Sequence, residues 1–180
     1  MIPTLLWKGL GLVKGEGFDS WRRVGPVLPA IKVYNQREVD ELVLLDIAAQ
    51  ASGDAPDAES VEDFAADCFV PLTVGGGITQ ADQVQHLLRA GADKVAVNTA
   101  ACANPGLVTD IARRHGNQCV VASIDARPAG PGRWRCFSHA GRHDTGRGLA
   151  DWARELEDRG AGEILLTAIE RDGTMQGYDL

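Results

Sequence analysis

A short apolar run followed by a segment of helical spacing recurs along the whole chain, with run centres near residues 4, 44, 73, 95, 122 and 165. Few architectures accommodate such a rhythm. Repeated βα units imply parallel strands joined by right-handed crossovers. Residues 41–47 (Glu-Leu-Val-Leu-Leu-Asp-Ile) and 119–124 are almost continuously apolar, the signature of strands buried on both faces of a parallel sheet. The first of these also aligns without gaps on residues 163–169 (Glu-Ile-Leu-Leu-Thr-Ala-Ile), Glu on Glu and Ile on Ile, four units later. A repeat in halves of four units makes eight, of which this chain carries about six. An eight-unit barrel spans ~250 residues. The expectation is a (βα)8 TIM barrel of the α/β class, with residues 1–180 as one incomplete barrel domain. An open doubly wound sheet of six strands competes: length favours it, and the internal repeat favours the barrel.

Residues 2–7 read as a first strand, 9–15 as a glycine-rich turn region with Leu10, Leu12 and Val13 alternating, and 25–29 as a break before a helix over 30–39. Residues 51–57 are a polar loop. Residues 58–68 are helical, with Val61, Phe64, Ala65 and Cys68 on one face. Asn104-Pro105 starts a helix running through Leu107, Val108 and Ile111 to Gly116, since a proline early in a helix forfeits no hydrogen bond. Residues 127–146 break the rhythm with Pro128, Gly130, Pro131, Gly132, Gly141 and Gly146, and predict a small hairpin inserted at about 128–146. A helix over 148–159 and a strand over 163–168 follow.

In a βα barrel the chemistry lies at the C-terminal ends of the strands. The polar residues there are Asp46, Gly75–Gly77, Asn98, Thr99, Asp125, Thr167 and Asp172. Pro71-Leu72-Thr73-Val74 runs into Gly75, Gly76 and Gly77, and a helix opened by Thr79 follows. Glycine lets backbone N–H groups turn toward a ligand, and free amides at a helix entrance attract anions. A plain tight turn uses the same residues. The next strand, 92–97, ends in Asn98 and Thr99, two more polar groups and a second turn. Asp125 ends an apolar strand, where a carboxyl has a tuned pKa suited to acid–base catalysis; capping a loop or pairing with Arg127 is the plainer reading. Asp172-Gly173-Thr174 reads equally as a turn with an N-cap, a phosphate contact or a catalytic group. His139 and His143 have metal-ligand spacing but no third ligand in sight, so solvated loop histidines are favoured and no metal is expected. Glu41, Lys94 and Glu163 each begin a strand and fall at the opposite mouth, as end-of-barrel ion pairs or as a gate.

Composition excludes more than it assigns. With 25 acidic against 18 basic residues, the formal charge is −7 without long runs of either sign, which argues against a nucleic-acid surface. Cys68, Cys102, Cys119 and Cys136 form no CxxC pair and read as buried thiols of a reducing compartment. The short apolar run at the N-terminus lacks a cleavage-site pattern, and no stretch reaches transmembrane length. The expectation is a cytoplasmic protein.

Residues 72–78 (Leu-Thr-Val-Gly-Gly-Gly-Ile), 91–101 (Gly-Ala-Asp-Lys-Val-Ala-Val-Asn-Thr-Ala-Ala), 120–127 (Val-Val-Ala-Ser-Ile-Asp-Ala-Arg) and the long block at 160–179 resemble the cyclase-subunit family of imidazole glycerol phosphate synthase, HisF. The resemblance covers nearly the whole chain. It implies a (βα)8 barrel that needs no cofactor and uses ammonia delivered through the barrel by a glutaminase subunit. That ammonia splits a bisphosphorylated histidine-pathway intermediate into imidazole glycerol phosphate and an aminoimidazole carboxamide ribotide. By this resemblance Asp125 is one of two catalytic aspartates, and Gly76, Gly77, Asn98 and Thr99 hold one phosphate. Lys14 and Thr167 lie near substrate, Asp172 and Gly173 serve the second phosphate, and Glu41, Lys94 and Glu163 are gate residues toward the glutaminase.

Three departures stand against the pattern. Leu6 occupies the position of the other catalytic aspartate, and a leucine cannot move a proton. The gate arginine expected before the first strand is missing, and so are the last two βα units. The stretch from Leu5 to Gly15 is closer to HisF-like paralogues that work with a glutaminase in acetamidino-sugar synthesis for surface polysaccharides. A third reading is a non-catalytic partial barrel that binds a glutaminase or a phosphate ligand. Six units alone leave an open sheet edge and an uncovered apolar face.

Overall fold

The computed structural model describes residues 1–9, 11–49, 54 and 56–178. Leu10, residues 51–53 and 55 of the expected polar loop, and Asp179 and Leu180 lie outside the described residues. The chain separates into two compact units, residues 1–13 with 23–97 and residues 14–22 with 98–180, and each is described by itself.

The first unit is built on parallel strands. The first three strands in the chain are β1 (Thr4–Lys8), β2 (Gly11–Glu16) and β3 (Asp19–Pro26); β4 (Leu42–Asp46), β5 (Leu72–Gly75) and β6 (Lys94–Val97) follow. Strands β1, β4, β5 and β6 pair parallel in that order, with Leu5 opposite Leu44, Leu44 opposite Val74, and Val74 opposite Val95. Helices Val27–Gln36, Ala58–Ala66 and Ala81–Arg89 connect them. Leu42, Leu44, Leu72, Val74 and Val95 are buried together with Ile31, Val61, Val84 and Leu87 of those helices. Val43, Thr73 and Ala96 on the opposite face are buried as well, and for 41–47 such two-sided burial is what the near-continuous apolar run predicts. Asp57 starts the second helix by accepting the Ser60 N–H at 3.0 Å, an ordinary N-cap.

Two local expectations need correction here. Residues 9–15 are not a turn region. Gly9, with φ +56°, reverses the chain, and β2 returns antiparallel to β1 with Leu6 opposite Val13 and Trp7 opposite Leu12. Gly11 lies within β2 rather than in a loop, close under the Arg23 side chain, whose Nε is 2.5 Å from where its Cβ would be. The first helix also begins at Val27 and not at residue 30. Pro29 falls within its first turn, where its missing N–H has no partner to lose.

In the second unit, β7 (Val120–Pro128) pairs parallel with β10 (Glu163–Ala168) and antiparallel with β8 (Trp134–Ser138), which in turn pairs with β9 (His143–Gly148). The expected strand stops at 124; β7 runs on because Arg127 and Pro128 find partners in Arg135 and Trp134 of β8. Helices Gly106–His115 and Leu149–Asp158 bury Val108, Ile111, Trp152 and Leu156 along with Val120, Ala122 and Ile124 of β7. Asn98 does not lead into a plain turn but caps a short helix, Thr99–Ala103. Ile164 and Leu166 on β10 are 41% and 53% exposed. No helix among the described residues is long and apolar enough to cross a membrane.

Candidate active site

The second unit assembles a site around Asp125. Register fixes its neighbours: Thr167 of β10 lies opposite it on one side and Phe137 of β8 on the other. Asn98 Nδ2 donates to Asp125 Oδ2 at 2.6 Å, joining residues 27 apart in sequence. Arg127, the plainer partner considered for Asp125, places its guanidinium over the Phe137 ring instead, 5.1 Å from the centroid. Burial pushes the Asp125 carboxyl up to about 7; the negative charge of Asp172 adds to the rise, and the Asn98 hydrogen bond opposes it. Desolvation and a like charge both disfavour the ionised form. The outcome is a carboxyl that gives and takes protons near neutrality.

Asp172 follows the single turn Ile169–Arg171, its own N–H bonded back to Ala168 and Ile169. Its carboxyl is also raised by burial, against the charge of Lys14 and a hydrogen bond from the Phe18 backbone, both of which lower it. The tip of the β2–β3 hairpin is thus tied to the loop after β10. Gly17 N–H donates to the Asp172 carbonyl at 2.9 Å. Gly173, at φ +74°, lies so near Gly15 that a Cβ would come 2.2 Å from its carbonyl oxygen. A side chain at residue 173 would push that tip away, and Lys14 with it. Gly141, at the tip of the β8–β9 hairpin, is packed against Phe18 and Ile169, 3.3 and 3.2 Å from where its Cβ would be. The neighbouring His139 donates its backbone N–H to Thr99 Oγ1 at 3.0 Å. His139 and His143 stack edge to face at 5.9 Å, and His139 Nδ1 lies 3.0 Å from Ser138 Oγ.

Of the residues singled out from sequence, Lys14, Asn98, Thr99, Asp125, Thr167, Asp172 and Gly173 therefore belong to one compact unit, linked by the contacts above. The remaining ones lie elsewhere. In the first unit, Gly76 and Gly77 have φ +107° and +64°, and side chains there would strike the Asp46 and Asp54 carbonyls at 2.1 and 1.9 Å. The helix entrance beyond them lies later than Thr79, where the sequence places it. It starts at Ala81, and the Gln83 side chain already accepts the Thr79 and Gln80 N–H groups at 2.8 and 3.0 Å. Glu41 and Lys94 form a partly buried ion pair, Nζ lying 2.9 Å from both carboxylate oxygens. Glu163 opens β10 in the second unit and is exposed. Leu6 sits in β1 between Val13 and Leu45, an apolar register on both sides.

Sequence reasoning missed Cys102. Its thiol donates to Asn98 Oδ1 at 3.5 Å, which is the i,i+4 contact of a helix; reading 98–101 as a turn concealed it.

The comparisons with known proteins agree with this architecture. The family model described as histidine biosynthesis protein matches residues 2–180. The imidazole glycerol phosphate synthase subunit HisF of Gluconacetobacter diazotrophicus is 47% identical over 180 residues, a match that takes in all of this chain and 70% of that protein. With its parallel βα units and a match from residue 2 onward, the chain belongs to the histidine biosynthesis protein family.

Proposed function

We propose that this chain acts as a cyclase subunit of the imidazole glycerol phosphate synthase type. It uses ammonia released by a glutaminase partner on a phosphorylated ribose intermediate. The observation that carries this reading is Asp125, a partly buried carboxyl held by Asn98 and pushed up to about 7 by burial. Opening an amidine and closing an imidazole both need a group that donates a proton at one step and accepts it at another, and a pKa near the working pH suits both. Lys14 and Thr167 flank the substrate, while Asp172 and Gly173 contact one phosphate. Asn98, Thr99, Gly76 and Gly77 are proposed as contacts of the other. Glu41, Lys94 and Glu163 are proposed as the charged residues facing the glutaminase. The relative's name, a synthase subunit, supports a partner, and four cysteines that form no disulfide support a reducing, cytoplasmic setting.

Leu6 favours a second reading. With no carboxyl at that position, Asp125 is the only one of the two expected aspartates present. A single acid–base group is enough to add ammonia to an activated sugar, as amidine formation for a surface polysaccharide requires.

Ammonia-dependent consumption of the histidine-pathway bisphosphate, followed by its ultraviolet absorbance, separates the two. Turnover by the chain as it stands, falling by about 10²–10⁴-fold in Asp125→Asn, supports the cyclase. Silence that Leu6→Asp relieves points to an intact scaffold assigned to sugar amidination. Silence in both sinks the histidine-pathway reading.

A further inference from the structure

The Asn98 carboxamide has two chemically opposite ends, and turning it over replaces a donor by an acceptor. Which end faces Asp125 is decided by what holds the other end. Here Nδ2 donates to Asp125 Oδ2 at 2.6 Å, and Oδ1 receives the Cys102 thiol at 3.5 Å. Cys102 is carried one helical turn beyond Asn98, and its N–H donates to the Asn98 carbonyl at 2.9 Å, so backbone and side chain are tied together. A protonated thiol donates its hydrogen to the oxygen end of the amide, whereas the nitrogen end would meet only the weakly accepting sulfur lone pairs. Burial pushes Cys102 up to about 11, with Arg147 opposing and Asp125 adding to the rise, so the donor persists throughout the physiological range.

We infer that Cys102 is a positioning residue: its S–H holds Asn98 Oδ1, so that Nδ2 is kept on Asp125 and stabilises the ionised carboxylate. The inference rests on the reading of Asp125 as the acid–base group, and adds the element that sets its protonation. The other groups facing this carboxyl are accounted for. Asp172 raises it electrostatically, and Lys14 acts on Asp172. Cys136, buried on β8, is itself pushed up to about 11 by burial, with Cys102 and Asp125 adding and Arg147 opposing. Thr167 and Phe137 are the uncharged neighbours in register.

The test reads the carboxyl rather than turnover. The Asp125 resonance, assigned with Asp125→Asn, is titrated by carbon-13 NMR in the wild type, Cys102→Ala, Cys102→Val and Cys102→Ser. Loss of the thiol donor in Ala or Val should raise the Asp125 midpoint by about half a unit, the scale of one weak S–H···O bond. The serine hydroxyl, donating to the same oxygen, should return it to the wild-type value or below. Val fills the space of the thiol with apolar atoms, so the comparison survives if Ala does not fold. An unchanged midpoint in a folded non-donor variant overturns the inference, as does a shift that serine fails to reverse. If the midpoint moves while the acid limb of the pH–rate profile stays in place, positioning stands and the acid–base reading of Asp125 falls.

Discussion

Asp46 closes β4 in one unit and Asp125 lies at the corresponding end of the parallel part of β7 in the other, yet their surroundings assign them opposite work. The Asp46 carboxylate accepts the N–H groups of Ala48 and Ala49 at 2.8 and 3.1 Å. Its own carbonyl lies against Gly76, so it shapes the loop after the strand. Asp125 accepts from a side-chain amide and confronts a second carboxyl, Asp172. Backbone amides hold a carboxylate in a fixed turn. Burial beside a like charge makes a titrating group. A strand-end aspartate is therefore structural or chemical according to its partners, and both sorts occur in this chain.

The difference can be broken from either side. The largest expected effect is the pH dependence of stability through Asp125. Its folded pKa, about 7, lies above the ordinary 3.8, so the folded state binds a proton that the unfolded chain has already released. The group's contribution is complete below about pH 4 and is lost as pH rises to about 7, a change on the order of a few kcal/mol. Thermal unfolding from pH 4 to 8 should show this fall in the wild type and a much shallower one in Asp125→Asn. Some slope should remain, because Asp172 is shifted in the same direction. Equal slopes would mean that Asp125 does not titrate as described.

Next in size is Gly76→Ala. The substitution places a Cβ 2.1 Å from the Asp46 carbonyl oxygen at a φ of +107°. It should cost roughly 2 kcal/mol or more in urea denaturation, with the damage confined to the Asp46 loop and the Asp125 titration unmoved. The smallest of the three is Asp46→Asn. Both backbone N–H groups meet one oxygen of Asp46, so the amide oxygen can still accept from them but without the charge, for a loss of about 1 kcal/mol. If Asp46→Asn instead removed activity without altering stability, the assignment of Asp46 to structure would fail.

How much of the site was legible follows from which of its parts are local. The glycines at 76, 77 and 173 announce themselves, since positive φ and close approach are demands one residue meets alone. Asp125, at the end of an apolar run, also stands out in the sequence. The hydrogen bond from Asn98 does not, because it joins residues 27 apart and depends on where one short helix begins. The β2–β3 hairpin was hidden for a different reason. Its glycines read as looping, while in the structure they serve reversal and close packing within strands.

The sequence by itself determined the parallel βα order, the two-sided burial of β4 to β7, the family, and the presence of a leucine where a second aspartate is expected. These depend on apolar periodicity and residue identity, which are properties of short windows. Only the tertiary structure decided that Asp125 is buried beside Asp172 while Asp46 holds a turn, that Gln83 accepts the Thr79 and Gln80 N–H groups before the helix after the glycines, and that the Asn98 amide lies between the Cys102 thiol and the Asp125 carboxyl. The state of Asp125 depends on desolvation and on partners brought from other parts of the chain, which arise only when the strands and helices have packed. The Asp46, Gln83 and Cys102 contacts span at most four residues and depend on where each turn or helix begins.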